Sequence, residues 1–80
     1  MKLPRDLSGH ELASALTQLG YAVNHQTGSH IRLTTQRGGE HHVTVPAHET
    51  LKVGTLSAIL RGVAEHTNLS RDELLQKLFS

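Results

Sequence analysis

Cysteine is absent from this 80-residue chain. Disulfides and thiolate zinc sites are therefore excluded, which fits a reducing compartment. No long apolar run is present either. The opening "MKLPRDLSGHEL" lacks the hydrophobic stretch of a signal peptide, and no later segment approaches a membrane span. A soluble cytoplasmic protein is the expectation. A marked excess of one charge is also missing: eight Lys/Arg face seven Asp/Glu, a net charge of +1. That gives only weak compositional support for a nucleic-acid partner, whose phosphates are bound mainly by cations. The chain is also short. Folding at this size buries only ~60% of the unfolded surface, so function is expected on a surface or in a shallow groove. No repeat, low-complexity segment or linker divides the sequence.

Histidine is the abundant residue, with seven copies. Imidazole titrates near neutral pH and can add charge beside a polyanion. The spacings argue against joint metal ligation. There is no H-E-x-x-H or H-x-H, and His41 and His42, adjacent on a predicted strand, point to opposite faces.

Helix signals are unusually complete. In "LSGHELASALTQLG", Ser8 and Glu11 fit a capping box, and Leu7 and Leu12 flank it as a hydrophobic staple. Leu12, Ala15, Leu16 and Leu19 form one apolar stripe, and Gly20 supplies a stop. "YAVNH", "HIRLTT" and "EHHVTV" read as strands joined by turns around Thr27–Gly28 and "QRGG", the last ending at Pro46. "AHETLKVG" reads as a loop and "TLSAILRGVAEH" as a helix carrying Leu56, Ile59, Leu60 and Val63. "LSRDELLQKLF" repeats the opening device, with Ser70 and Glu73 as box and Leu69 and Leu74 as staple. The order is helix, three-stranded antiparallel meander, helix, short helix: an α+β sandwich.

Strand parity divides the residues between two faces. Tyr21, Val23, Ile31, Leu33, Val43 and Val45 face the helices, and Leu16, Tyr21, Val23, Leu33, Val43, Leu56 and Ile59 are expected to be buried together. Ala22, Asn24, His30, Arg32, Thr34, His42 and Thr44 face away. His30 is then either a solvated strand residue without a task or part of a chemical set. Gly28 permits close approach of another backbone, Ser29 adds a hydroxyl, and Arg32 offers a fork to phosphate oxygens. Such a set suits acid–base chemistry on a phosphodiester. A serine nucleophile is not expected, because neighbouring strand residues diverge and no acidic residue is placed to orient the imidazole. Lys52 precedes Gly54 and a helix start that attracts anions; it is either a phosphate contact or a solvated loop lysine.

Together, "SGHEL...L..LGY", "GSH" opening a strand, "HHVTVPAH" and "LKVGTLSAILR" resemble the HicA family over about residues 8–69. These are the small mRNA-interferase toxins of HicA–HicB toxin–antitoxin pairs. "GSH" combined with "K-x-G-T-L-x-x-I-L" is the specific part. The resemblance implies a double-stranded-RNA-binding-domain-like α-β-β-β-α sandwich with an added C-terminal helix. One domain would span residues 1–80, with a HicA-like core over about 7–67 and the last helix over about 70–79. It further implies metal-independent, cofactor-free cleavage of RNA with His30 as the catalytic residue, and a HicB-like antitoxin that covers it. Gly28, Ser29, Arg32, His42, Lys52, Gly54 and Thr55 are the residues expected to contact RNA. The attacking group would be the RNA's own 2′-hydroxyl. A non-catalytic RNA-binding module and a protein-interaction domain are the alternatives.

Overall fold

The computed structural model describes residues 2–80. Its elements are α1 (Gly9–Leu16, continued by a 3-10 turn over Thr17–Leu19), β1 (Ala22–Gln26), β2 (His30–Thr35), β3 (His41–Pro46), α2 (Val53–Thr67) and α3 (Arg71–Phe79). The strands pair antiparallel in the order β1-β2-β3. This is the expected α+β arrangement with an extra C-terminal helix.

Both capping boxes form. The Glu11 N–H donates to Ser8 Oγ (3.0 Å) and the Ser8 N–H to Glu11 Oε1 (2.9 Å). Glu73 and Ser70 repeat the pair at 3.1 and 3.0 Å. These bonds hold both carboxyls below their ordinary pKa, since they are made to the charged form. Gly20 ends the 3-10 turn in the left-handed conformation (φ 93°). Gly38 and Gly39, at φ 71° and 101°, make the tight β2–β3 turn that side-chain-bearing residues would strain.

The helices cover one face of the sheet. Leu12, Leu16, Ile31, Leu33, Val45, Val63, Leu74 and Leu75 are fully buried in one cluster. Along β2 the alternation is as expected, with Ile31 and Leu33 buried and His30 and Arg32 exposed. α3 belongs to the same core through Leu74, Leu75 and Leu78.

Three expectations need correction. Val23 lies opposite Leu33 but is 46% exposed. α1 packs on β2 and β3, and α2 on β3, whereas β1 is the edge strand away from these helices, so the correct face does not guarantee cover. Ile59 is only partly buried, at the rim of the core. α2 begins at Val53, two residues before the predicted start, with Lys52 as its N-cap. β1 also departs from simple alternation. Ala22 and Val23 pair with Thr34 and Leu33, but His25 pairs with Arg32. Asn24 is therefore the extra residue of a β-bulge.

Candidate active site

The "TGSH" turn is built around one hydroxyl. Thr27 Oγ1 accepts from the backbone N–H groups of Ser29 (3.2 Å) and His30 (3.0 Å). The Thr27 N–H donates to the His30 carbonyl (2.9 Å), and the Ala47 N–H to the Ser29 carbonyl (2.8 Å). The turn is thus tied to the exit of β3. Ser29 Oγ lies 2.9 Å from His30 Nδ1. This overturns the expected divergence of the two side chains. Ser29 sits in the turn, before β2 begins, so strand alternation does not govern it. With Nδ1 engaged, Nε2 is the nitrogen that exposed His30 offers to a ligand.

Arg32 follows on the same outer face and is exposed. Opposite it on β1 is His25, also exposed. Continuing the alternation of Val23 would turn His25 toward the helices, but the extra residue resets it to the outer face. Local sequence carries no signal for this, because a bulge is defined by the partner strand. Asn24 Nδ2 donates to Thr34 Oγ1 (2.8 Å), which shares a 2.8 Å hydrogen bond with His42 Nδ1. His42 Nε2 stands 3.5 Å from Glu40 Oε1. A polar chain therefore crosses all three strands. His42 pairs with Thr34, four residues along β2 from His30, about 13 Å at the usual ~3.3 Å rise. The fold brings His30 and Arg32 together and leaves His42 at the other end of the face.

Lys52, Gly54 and Thr55 open α2, which has no side-chain cap. The first helical bond is made by the Leu56 N–H to the Lys52 carbonyl (2.9 Å). The N–H groups of Val53, Gly54 and Thr55 thus have no intrahelical partner, and Lys52 adds positive charge where anions are favoured. His30 pairs with Pro46, and a loop of six residues leads from Pro46 to α2 at this same end of the sheet. The Gly9 N–H donates to the His48 carbonyl (2.9 Å) and the Leu51 N–H to the Leu7 carbonyl (2.8 Å), pinning that loop. Apart from adjacent residues and, for Gly54, its own helix backbone, no heavy atom among the described residues lies within 4 Å of where a Gly28 or Gly54 Cβ would stand. Any demand for glycine there comes from outside the fold. Gly9, by contrast, is required by the fold through close contact, because its Cβ would collide with the Pro46 carbonyl oxygen.

His41 points to the helix side, opposite to His42, as expected. It shares a 2.7 Å hydrogen bond with the Tyr21 hydroxyl and stacks on His66 with ring centroids 4.5 Å apart. His66 Nε2–H donates to the Arg37 carbonyl (2.9 Å). Burial, and then the neighbouring His66 and His42, lower the His41 pKa below its ordinary 6.5. The folded state therefore binds fewer protons here than the unfolded chain. This contribution to stability is complete above about pH 6.5 and is lost as pH falls through that value toward the folded pKa. Thermal melts at about pH 8 and about pH 5 should show the loss, and His41→Gln should lessen it. An unchanged pH dependence in that variant would rule out His41 as the source.

Among the described residues, no group of three or more His, Cys, Asp or Glu is gathered to hold a metal ion. Nor is any helix among them long and apolar enough to cross a membrane. A cavity of about 360 Å³ is lined by Leu3, Ser57, Leu60, Arg61, Ala64 and Arg71, none of them in the "TGSH" turn or on the outer sheet face.

The sequence model of the family described as the HicA toxin of bacterial toxin–antitoxin systems matches residues 9–63. No curated protein and no solved structure matches significantly. The matched span covers α1, all three strands and most of α2, and so includes the "TGSH" turn, the outer sheet face and the start of α2. This chain belongs to the HicA family of toxins.

Proposed function

We propose that this toxin is an mRNA interferase, an endoribonuclease that cleaves RNA without a metal and uses His30 as its proton-transfer group. The observation that carries the reading is the exposed imidazole itself, held at Nδ1 by Ser29 with Arg32 on the same face. With Nδ1–H donated to Ser29 Oγ, Nε2 holds the lone pair that removes the proton from a ribose 2′-hydroxyl. The 2′-oxygen then attacks the adjacent phosphorus in line, and the bond to the 5′-oxygen breaks. The products are a 2′,3′-cyclic phosphate and, once the departing 5′-oxygen has taken up a proton, a 5′-hydroxyl. Arg32 offsets the charge that grows on the non-bridging oxygens. Lys52 and the free N–H groups at the start of α2, with Gly54 and Thr55, hold a neighbouring phosphate, and His42 contacts the backbone further along the face. Gly28 leaves room for the strand to pass the turn.

The test is incubation of purified wild-type and His30→Ala protein with RNA in EDTA. Cleavage by the wild type that persists in the chelator is expected. RNA binding without any cleavage by the wild type would leave a non-catalytic binding module instead.

The partner in this reading is a HicB-like antitoxin that sits over the outer face, and the place of action is the cytoplasm, where mRNA is met. If antitoxin and RNA share the surface, His30 loses solvent access in the complex and saturating antitoxin abolishes RNA association. Competition binding checks this. A ternary complex in which both affinities are unchanged would refute occlusion.

A further inference from the structure

The edge-strand bulge does more than bend β1. At a bulge, two residues of one strand oppose a single residue of the other and the alternation of faces is reset. Here Asn24 and His25 face Arg32. The Asn24 amide is fixed on the outer face by its 2.8 Å bond to Thr34 Oγ1, the residue on that face two positions beyond Arg32. His25 lies directly across from Arg32, and regular pairing resumes at Gln26 with Ile31. His30 is thus the diagonal neighbour of His25, about 7 Å away by the geometry of an antiparallel pair. Three exposed groups, His25, His30 and Arg32, form a triangle at one end of the face. The charged or titratable groups facing His25 are Arg32 across the ladder and His30 on the diagonal. Thr44, which continues the row on β3 beyond Arg32, carries no charge.

In an in-line displacement at phosphorus, the attacking and leaving oxygens stand on opposite sides. One base therefore cannot also protonate the departing oxygen in the same step, and a second proton carrier is required on the far side. Each carrier must come within ~2.6–3.2 Å of its oxygen. Two histidines at diagonal positions whose backbones are about 7 Å apart, with Arg32 opposite one and two residues along from the other, let their rings reach either side of a single phosphate. Asn24 and the bulge are what bring the second ring there.

We propose that His25 is the general acid of the cleavage reaction: its protonated ring donates to the departing 5′-oxygen while His30 takes the 2′-hydroxyl proton. The inference rests on His30 acting as the base. One proton enters His30 and one leaves His25, so the step is balanced, and exchange with water restores both rings.

The discriminating substrate is RNA with sulfur in place of the bridging 5′-oxygen at the scissile phosphate, because a thiolate departs without being protonated. His25→Ala should cleave ordinary RNA ~100- to 10,000-fold more slowly than wild type, the usual cost of losing a general acid. It should cleave the sulfur-bridged RNA at close to the wild-type rate. His30→Ala should be slow on both. With ordinary RNA the wild-type rate should rise and then fall with pH, and His25→Ala should lose the falling limb. His25→Gln, closer in size and polarity, provides a second variant if alanine disturbs the edge strand. Wild-type speed on ordinary RNA in both variants would overturn the role of His25 and leave that of His30 intact. Equal slowing on both substrates would show that His25 only positions the RNA, and would also overturn the proposal. Failure of the wild type to cleave either substrate would instead remove the ribonuclease reading beneath it.

Discussion

His30→Ala should slow RNA cleavage by about 100- to 10,000-fold, the range for loss of a positioned general acid–base, and should change stability by no more than about 0.5 kcal/mol. The two effects should separate because the proposed mechanism gives the exposed ring proton transfer and almost no packing. His30 is exposed at the first position of β2. Its side-chain bond is to Ser29 Oγ, another exposed group, which water satisfies once the imidazole is gone. The backbone bonds that shape the turn, from His30 N–H to Thr27 Oγ1 and from Thr27 N–H to the His30 carbonyl, survive truncation. The variant should therefore melt like the wild type, still bind RNA, fail to cut it and fail to arrest growth. Ser29→Ala should give a milder loss, because the ring remains but is no longer held by Oγ. Wild-type cleavage by a folded His30→Ala protein would overturn the assignment, and wild-type cleavage that stops in EDTA would overturn the metal-free mechanism.

The largest expected effect on stability comes from a residue that would pass for an ordinary helix position. Alanine is normally the better helix former, by ~1 kcal/mol over glycine in a helix interior. Gly9→Ala should nevertheless destabilise the protein by about 1–3 kcal/mol, the usual cost of forcing extra volume into a packed contact. The added methyl would run into the Pro46 carbonyl oxygen and stand 3.0 Å from its carbon and 3.1 Å from Ala47 Cα. These are backbone atoms and cannot rotate aside. α1 or the exit of β3 would have to move, straining the bond from Gly9 N–H to the His48 carbonyl and the one from Ala47 N–H to the Ser29 carbonyl. For a domain of this size each kcal/mol lowers the melting temperature by about 4–8 °C. Gly28→Ala is the control: with nothing but adjacent residues within 4 Å of the added Cβ, it should leave the melting temperature almost unchanged. A Gly9→Ala protein as stable as the wild type would show that the contact relaxes freely.

Much of the fold is legible in the linear sequence because the signals are local. A capping box is satisfied within four residues, so Ser8–Glu11 and Ser70–Glu73 could be read directly and both are formed. Two-residue periodicity fixed the faces of β2 and β3, and with them the exposure of His30 and Arg32 and the opposite directions of His41 and His42. The "GSH" and "LKVGTL" stretches were likewise readable as one family pattern, and the family match spans both.

What the sequence could not decide depends on which element lies next to which. Val23 has the right parity for the core, but an edge strand lies beyond the helices that cover β2 and β3. The pairing of Ser29 with His30 arises because a turn, unlike a strand, lets neighbouring side chains meet. Gly9 is required by a carbonyl 37 positions away. The bulge at Asn24 exists only relative to β2, and it alone puts His25 on the face with His30 and Arg32. Periodicity and capping are properties of a few consecutive residues and are written in the chain; edge position, register shifts and backbone close approach are relations between distant segments, and only their packing fixes them.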